Sequence, residues 1–283
     1  SLKILFLMKA IILNLSAWVM LPVMDGFAKY LSSTLPVLQI TWSRYFFTVV
    51  IVLPIMLIFF RKNLTWTEQP KLQLIRGLLL FCANILFFYS ISVISLAKAL
   101  TLAFIAPLIV TVLSPFLLGE KVGIRRWAAV ITGFIGSLIV IRPGFVEINL
   151  ASIAALGTGV LYAFYLIVTK KLHNSDHPLL TLLLTGVVGA IIGTMIMPTV
   201  WVQPTITEWY MMFAIGFFAS IGHLLLILSL RYADASKLAP FGYFEIVTNI
   251  IIGFFFFNNF PDHWHFIGLF IIVSSGIYVF RRE

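Results

Sequence analysis

The stretch ALTLAFIAPLIVTVLSPFLL, Ala99–Leu118, decides the fold. It runs twenty residues without a charge, and about 20 apolar residues are what an α-helix needs to cross a bilayer core. It lacks the sustained alternation by which a membrane β-strand of ~10 residues turns one side to lipid and the other to a lumen. The same continuous texture recurs at Leu78–Ala83 and Ile250–Phe257. The stretch therefore reads as one membrane-spanning helix among several.

The rest of the chain agrees. Of its 283 residues, 61% are hydrophobic and 10% charged, and the mean hydropathy is +1.08. Soluble domains carry about 45–50% apolar and ~25% charged residues, so a water-soluble protein is excluded, and so is a disordered one. At roughly 28 residues for a span and its connection, the length accommodates about ten spans and leaves no room for an extramembrane catalytic domain. The single cysteine, Cys82, permits no intrachain disulfide. Lys3 and Lys9 precede an apolar run that no small-residue cleavage site follows, so this segment reads as the first span. The net charge of +9 fits basic cytoplasmic loops better than a nucleic-acid partner.

Turn residues at Asn63, Gly119–Glu120, Pro143–Gly144, Asn174–Asp176, Pro204, Asp234 and Pro261–Asp262 separate ten spans. These are Ile11–Tyr30, Val37–Phe60, Leu72–Ile94, Ala99–Leu118, Trp127–Ile141, Leu150–Val168, Leu179–Val200, Trp209–Leu230, Leu238–Phe257 and Phe266–Phe280. With the N-terminus inside, 15 of the 19 Lys and Arg fall in inside segments, among them Arg76, Lys121, Arg126 and Lys170. Only Lys29, Lys98 and Arg142 fall outside, and Arg44 lies within a span. This bias places both termini in the cytoplasm; one span more or fewer breaks it.

The chain also repeats itself. Ala28–Leu31 with Pro36 aligns with Lys170–His173 and Pro178 at an offset of 142, and Leu96–Leu100 aligns with Asp234–Leu238 at 138. Gly136 matches Ser274 at the latter offset. Two units follow, residues 1–145 and 146–283, each with five spans. Five is odd, so the second unit is inverted relative to the first, an arrangement typical of transporters with a site near the membrane midplane.

Asp25–Leu31 with Pro36, Gln39 and Arg44 resembles the first hairpin of the EamA-like type of the drug/metabolite transporter superfamily. Arg76–Leu80, Pro107, Gly119–Glu120, Arg126–Trp127 and Ala239–Glu245 are similar to later family motifs, so the resemblance covers essentially the whole chain. It implies an all-α carrier of ten transmembrane helices in two inverted five-helix repeats, with a central cavity for small organic solutes. Bacterial members of this kind carry S-adenosylmethionine, riboflavin, amino acids or amines. Asn258–Asn259 stands where many members have Gly-Glu, which favours a structural role for that acidic position.

Polar residues inside the spans mark the candidate site. A mid-membrane carboxylate costs about 2.5–3.5 kcal/mol on insertion scales and by default faces a cavity or partner; Asp25 and Glu245 are in that position. Trp18, Pro22, Asp25 and Lys29 share one helix face. Asp25 and Arg44 are open to two roles, a structural or gating pair and direct solute contacts. Lys29 reads as a snorkelling lysine. Glu245 lies about 12 Å deep at ~1.5 Å per residue, with Phe241 and Asn249 on its face, and either pairs with a substrate ammonium or carries a coupling proton. Asn84, Tyr89, Tyr162, Tyr165 and His223 complete the substrate-binding candidates, and Pro22, Pro107 and Pro240 are the gating or hinge candidates. Gly186, Gly189 and Gly193 read as a close helix-packing face.

Catalytic and nucleotide motifs are missing, so neither an enzyme nor ATP drive is expected. His173 and His177 stand in a charged loop and suggest no metal; no cofactor is implied. The expectation is a secondary transporter of the bacterial inner membrane, monomeric or homodimeric, with protons as a possible coupling ion. It moves an amino acid, amine or similar zwitterionic or cationic metabolite by alternating access. The alternatives are a larger metabolite such as S-adenosylmethionine or riboflavin and, in another class, a solute channel.

Overall fold

A computed structural model describes residues 2–94, 96–141, 149–257 and 262–282. Arg142, Pro143–Gly144, Asn258–Asn259 and Pro261 lie outside the described residues. The described residues are all-helical. The helices are α1 Leu2–Leu31, α2 Val37–Phe59, α3 Pro70–Val93, α4 Leu96–Ala103, α5 Ile105–Leu117, α6 Ile124–Ile141, α7 Leu150–Lys171, α8 Pro178–Val200, α9 Ile206–Tyr232, α10 Ala235–Leu238, α11 Glu245–Phe257 and α12 His263–Arg282. Two 3-10 turns add Arg61–Asn63 and Ala239–Phe244. Among the described residues, seven helical stretches are long and apolar enough to cross a membrane, Ala99–Leu117 being one of them. The protein is a multi-pass membrane protein. The other three expected spans fall on α6, on α10–α11 and on α12, whose apolar part is His263–Tyr278.

Two of the expected spans are broken. Pro107 has no N–H to give the Ala103 carbonyl one turn earlier, and the helix parts at Phe104, between α4 and α5. Gly159 of α7 sits against that carbonyl, where a Cβ would come within 2.7 Å of the oxygen. Pro240 acts similarly in the second half, where the 3-10 stretch Ala239–Phe244 separates α10 from α11. The two interruptions meet: a Cβ on Gly242 would touch Pro107 Cγ at 3.4 Å and Trp18 at 3.7 Å.

Helices pack in a regular set of pairs: α1 on α9, α3 on α7, α2 on α8 and α6 on α12. Lipid supplies no hydrophobic drive for this, so close approach and polar contacts hold the helices together. The glycine face of α8 does so as expected: Gly186, Gly189 and Gly193 lie against Thr48, Tyr45 and Trp42 of α2, and Trp42 Nε1 donates to Thr194 Oγ1 at 3.0 Å.

Two lysines bind the last carbonyls of neighbouring helices, which lack intrahelical donors. Lys29 at the end of α1 donates to the carbonyls of Ile91 and Ile94 at the end of α3. Lys170 at the end of α7 donates to Leu230 O at 2.9 Å and Ala233 O at 2.8 Å at the end of α9. Lys29 is therefore a helix cap and not a snorkelling residue, and its functional counterpart is Lys170 rather than Lys171. The buried Asp176 carboxylate accepts from Thr67 Oγ1 at 2.5 Å and Gln73 Nε2 at 2.8 Å, tying the α2–α3 and α7–α8 connections together.

Candidate functional site

Helices α1, α3, α4, α5, α7, α9, α10 and α11, with the 3-10 stretch, line a partly open cavity of about 120 Å³. The predicted residues Trp18, Asp25, Asn84, Tyr162, His223 and Glu245 all line it, and Pro107 stands in its wall.

The α1 wall is fixed by its own polar groups. Trp18 Nε1 donates to Asn14 Oδ1 at 2.9 Å, and Asn14 Nδ2 donates to Ser229 Oγ of α9 at 3.4 Å. This holds the indole edge-on to the Tyr162 ring, 6.4 Å between centroids. Asn14 was missed in the sequence, although it lies one turn before Trp18 on the same stripe. Asn84 donates both amide protons inside the protein, to Tyr45 Oη at 2.9 Å and Leu80 O at 2.6 Å.

The two carboxylates are unlike everything else in the wall. Asp25 is 6% exposed and Glu245 8%. Among the described residues neither accepts a hydrogen bond or closes an ion pair, and no Lys or Arg lines the cavity. Glu245 is the first residue of α11, presented where the 3-10 stretch gives way to α-helix.

Asp25 and Arg44, for which both a pair and direct solute contacts were open, close no ion pair with each other in this structure. Arg44, 2% exposed, lines a smaller polar pocket beside the cavity. Its Nε donates to Met24 Sδ at 3.4 Å, and its guanidinium carbon lies 4.7 Å from the Tyr45 ring centre. Tyr165, fully buried, lines the same pocket. Tyr89 is half-buried outside the cavity wall. Phe241 packs beside Gly276 of α12, and Asn249 donates to its own helix at Glu245 O, 3.0 Å. Pro22 and Pro240 are buried away from the cavity surface.

Arg76 carries a larger correction. Counted with the inside segments from sequence, it is fully buried in α3. Its Nε donates to Thr169 Oγ1 at 2.8 Å, Nη1 to Thr181 O at 3.1 Å and to Thr185 Oγ1, and Nη2 to Tyr165 Oη at 2.7 Å. Tyr165 Oη in turn lies 2.8 Å from His223 Nδ1. Only its place in the Arg76–Leu80 motif singled this residue out in the sequence.

His173 and His177 do not converge on a metal. His173 Nδ1 donates to Lys170 O at 2.7 Å, and His177 Nδ1 accepts from Leu179 N at 3.3 Å at the start of α8. Partial burial, then the nearby cations, lower both imidazoles below their ordinary range. Among the described residues no three His, Cys, Asp or Glu group together as metal ligands would.

The profile of the EamA-like transporter family matches residues 8–142 and again residues 149–281. The S-adenosylmethionine uptake transporter of Rickettsia bellii is 28% identical over 259 residues, covering 92% of this chain and 89% of that protein. The riboflavin transporter of Vibrio cholerae is 26% identical over 273 residues, 95% of this chain and 92% of that one. The pseudopaline exporter of Pseudomonas aeruginosa is 26% identical over 264 residues, 92% of each. One solved crystal structure superposes with a TM-score of 0.80 over 95% of this chain and 97% of its own, at 17% identity, and so shares the fold.

Proposed function

The chain belongs to the EamA-like transporter family, and from that premise we propose that it is a secondary transporter for a cationic or zwitterionic metabolite of the S-adenosylmethionine class. It is not an enzyme. The observation that carries the substrate reading is the cavity itself: among the described residues, two carboxylates that close no ion pair, aromatic walls and no lining Lys or Arg. A sulfonium or ammonium centre suits Asp25 and Glu245, and cations also bind favourably over Trp and Tyr faces. An aromatic base suits Trp18, Phe87, Phe104 and Tyr162. The S-adenosylmethionine uptake transporter and the riboflavin transporter among the relatives favour a larger metabolite over the free amino acid or amine expected first.

In this reading ten spans form two inverted five-helix repeats, and the repeats rock around the cavity. The two family-profile matches support it, one in each half. So do the packing pairs: exchanging the halves turns α1 on α9 into α7 on α3 and leaves α2 on α8 and α6 on α12 unchanged. The breaks at Pro107 and Pro240 supply the flexible points. Both termini face the cytoplasm across the inner membrane, as the basic loops require. One chain lines the whole cavity, so a monomer suffices for transport. Asp25 and Glu245 are the groups available to carry a coupling proton.

The test is uptake of labelled S-adenosylmethionine by proteoliposomes holding the purified protein, with riboflavin, lysine and putrescine as competitors. Uptake accelerated by unlabelled solute inside, and blocked by S-adenosylmethionine analogues rather than by lysine or putrescine, is expected. Selective uptake of riboflavin or of a simple amine overturns the substrate class. Flux without counterflow acceleration favours the solute channel.

A further inference from the structure

Arginine can only donate hydrogen bonds, so the Tyr165 oxygen accepts from Arg76 Nη2 at 2.7 Å. The phenolic proton then points to the other neighbour, His223 Nδ1, at 2.8 Å. A ring nitrogen that accepts a hydrogen bond carries no proton, so the imidazole of His223 holds its proton on Nε2. With a proton on Nδ1, the Tyr165 oxygen would face donors on both sides and its own hydrogen would be left without an acceptor. Among the described residues Nε2 makes no hydrogen bond to protein, and the ring stands between the cavity and the smaller pocket, lining both.

Some other donors of the wall are spent. Both Asn84 amide protons and the Trp18 indole N–H are engaged, whereas the buried Tyr162 hydroxyl has no hydrogen-bond partner among the described residues. Among the described residues the Tyr162 hydroxyl, one amide proton of Asn14 and His223 Nε2–H remain, and of these the His223 donor is the one hydrogen-bonded, through Tyr165, to a buried cation. A guanidinium with no carboxylate partner among the described residues thereby reaches the cavity through two polarised hydrogen bonds, without a Lys or Arg among the described residues of the wall.

We propose that Arg76 and Tyr165 are positioning residues that lock His223 as an Nε2–H donor, and that this donor binds the carboxylate of the transported metabolite. The substrate half of the inference rests on the transporter reading above. It also orients the solute: carboxylate toward α9 and His223, positive centre toward Asp25 of α1 and Glu245 of α11.

The experiment has two arms. Nitrogen-15 NMR of the full-length protein, labelled only at its five histidines, reads the tautomer without any substrate, with His223 assigned by its loss in His223→Gln. The neutral Nε2–H form is expected in the wild type, and a shift toward Nδ1–H in Tyr165→Phe. A wild-type Nδ1–H tautomer overturns the lock. The second arm compares S-adenosylmethionine with its decarboxylated analogue. Losing a hydrogen bond to a charged group, His223→Leu raises KM about tenfold for the carboxylate-bearing solute and leaves the analogue within about twofold. His223→Gln, which keeps a donor, recovers part of the loss. An equal rise for both solutes overturns the carboxylate assignment. If the wild type takes up neither solute, the transporter-substrate reading falls, and the tautomer measurement alone decides the lock.

Discussion

Ser236 gives both its backbone N–H, at 2.9 Å, and its hydroxyl proton, at 2.6 Å, to Oε2 of Glu120, a residue from the other half of the chain. Oε1 of the same carboxylate takes the Ala235 N–H at 2.8 Å. Glu120 thus caps the N-terminus of α10, whose own N-cap residue, Asp234, makes no capping bond. Arg126 braces the assembly through Ser236 Oγ at 2.7 Å and Asp234 Oδ2 at 3.2 Å. Replacing a cap typically costs about 1 kcal/mol. Glu120→Ala is expected to lower the thermal midpoint in detergent and to make a cysteine at position 236 react faster with a soluble maleimide. Unchanged labelling in Glu120→Ala would mean that the contact does not hold α10 in place.

Lys29 and Lys170 perform the same task on α3 and α9, so their loss should have equal and separable effects. Each removes donors from helix-end carbonyls, a change of about 0.5–1.5 kcal/mol per hydrogen bond. Lys29→Met and Lys170→Met are each expected to lower the midpoint, with the double variant lowering it by the sum, since the two share no partner. A snorkelling Lys29 would instead leave the midpoint unmoved.

Much of this arrangement was legible in the sequence because a charge or amide in an apolar run needs a reason. That logic found Asp25, Asn84, His223 and Glu245, and all four line the cavity. Spacing along α1 found Trp18 and would have found Asn14 had the stripe been followed one turn back. Which way a helix is rotated in the bundle was not legible. Arg44 and Tyr165 turn into the neighbouring polar pocket, and Phe241 packs near α12. Arg76 sits close enough to a span end to count as a loop cation, yet its guanidinium is wholly consumed by α7 and α8. The break at Phe104 was visible only as Pro107, because proline marks where a backbone bond is lost and not how the chain responds.

Asp25 and Glu245 should behave as binding residues do and not as structural ones. A buried charge without a partner destabilises the protein that holds it. Asp25→Asn and Glu245→Gln are therefore expected to keep or raise the thermal midpoint of the solute-free protein. The same changes should abolish most of the stabilisation that added S-adenosylmethionine confers by mass action. Lower solute-free midpoints together with an intact ligand-induced shift would make both residues structural. Arg44→Met should spare the shift, because the guanidinium stacks on Tyr45 and does not line the cavity.

Gly189 tests how packing far from the solute governs the cavity wall. A Cβ at this position would collide with the Tyr45 ring. Tyr45 has little room to retreat, being 1% exposed, covered by Arg44 and bonded through its oxygen to Asn84 Nδ2. Overpacking of this kind costs about 1–3 kcal/mol. Gly189→Ala is expected both to lower the midpoint and to weaken solute binding, because displacing Tyr45 releases an amide that lines the cavity. Gly26, in α1, is the control, since a Cβ there meets nothing within 4 Å. Removing a helix-interior glycine gains roughly 0.5–1 kcal/mol where nothing clashes, so Gly26→Ala should hold or raise the midpoint with binding unchanged. Equal behaviour of the two variants in thermal unfolding and in ligand titration would rule out transmission from Gly189 through Tyr45 to Asn84.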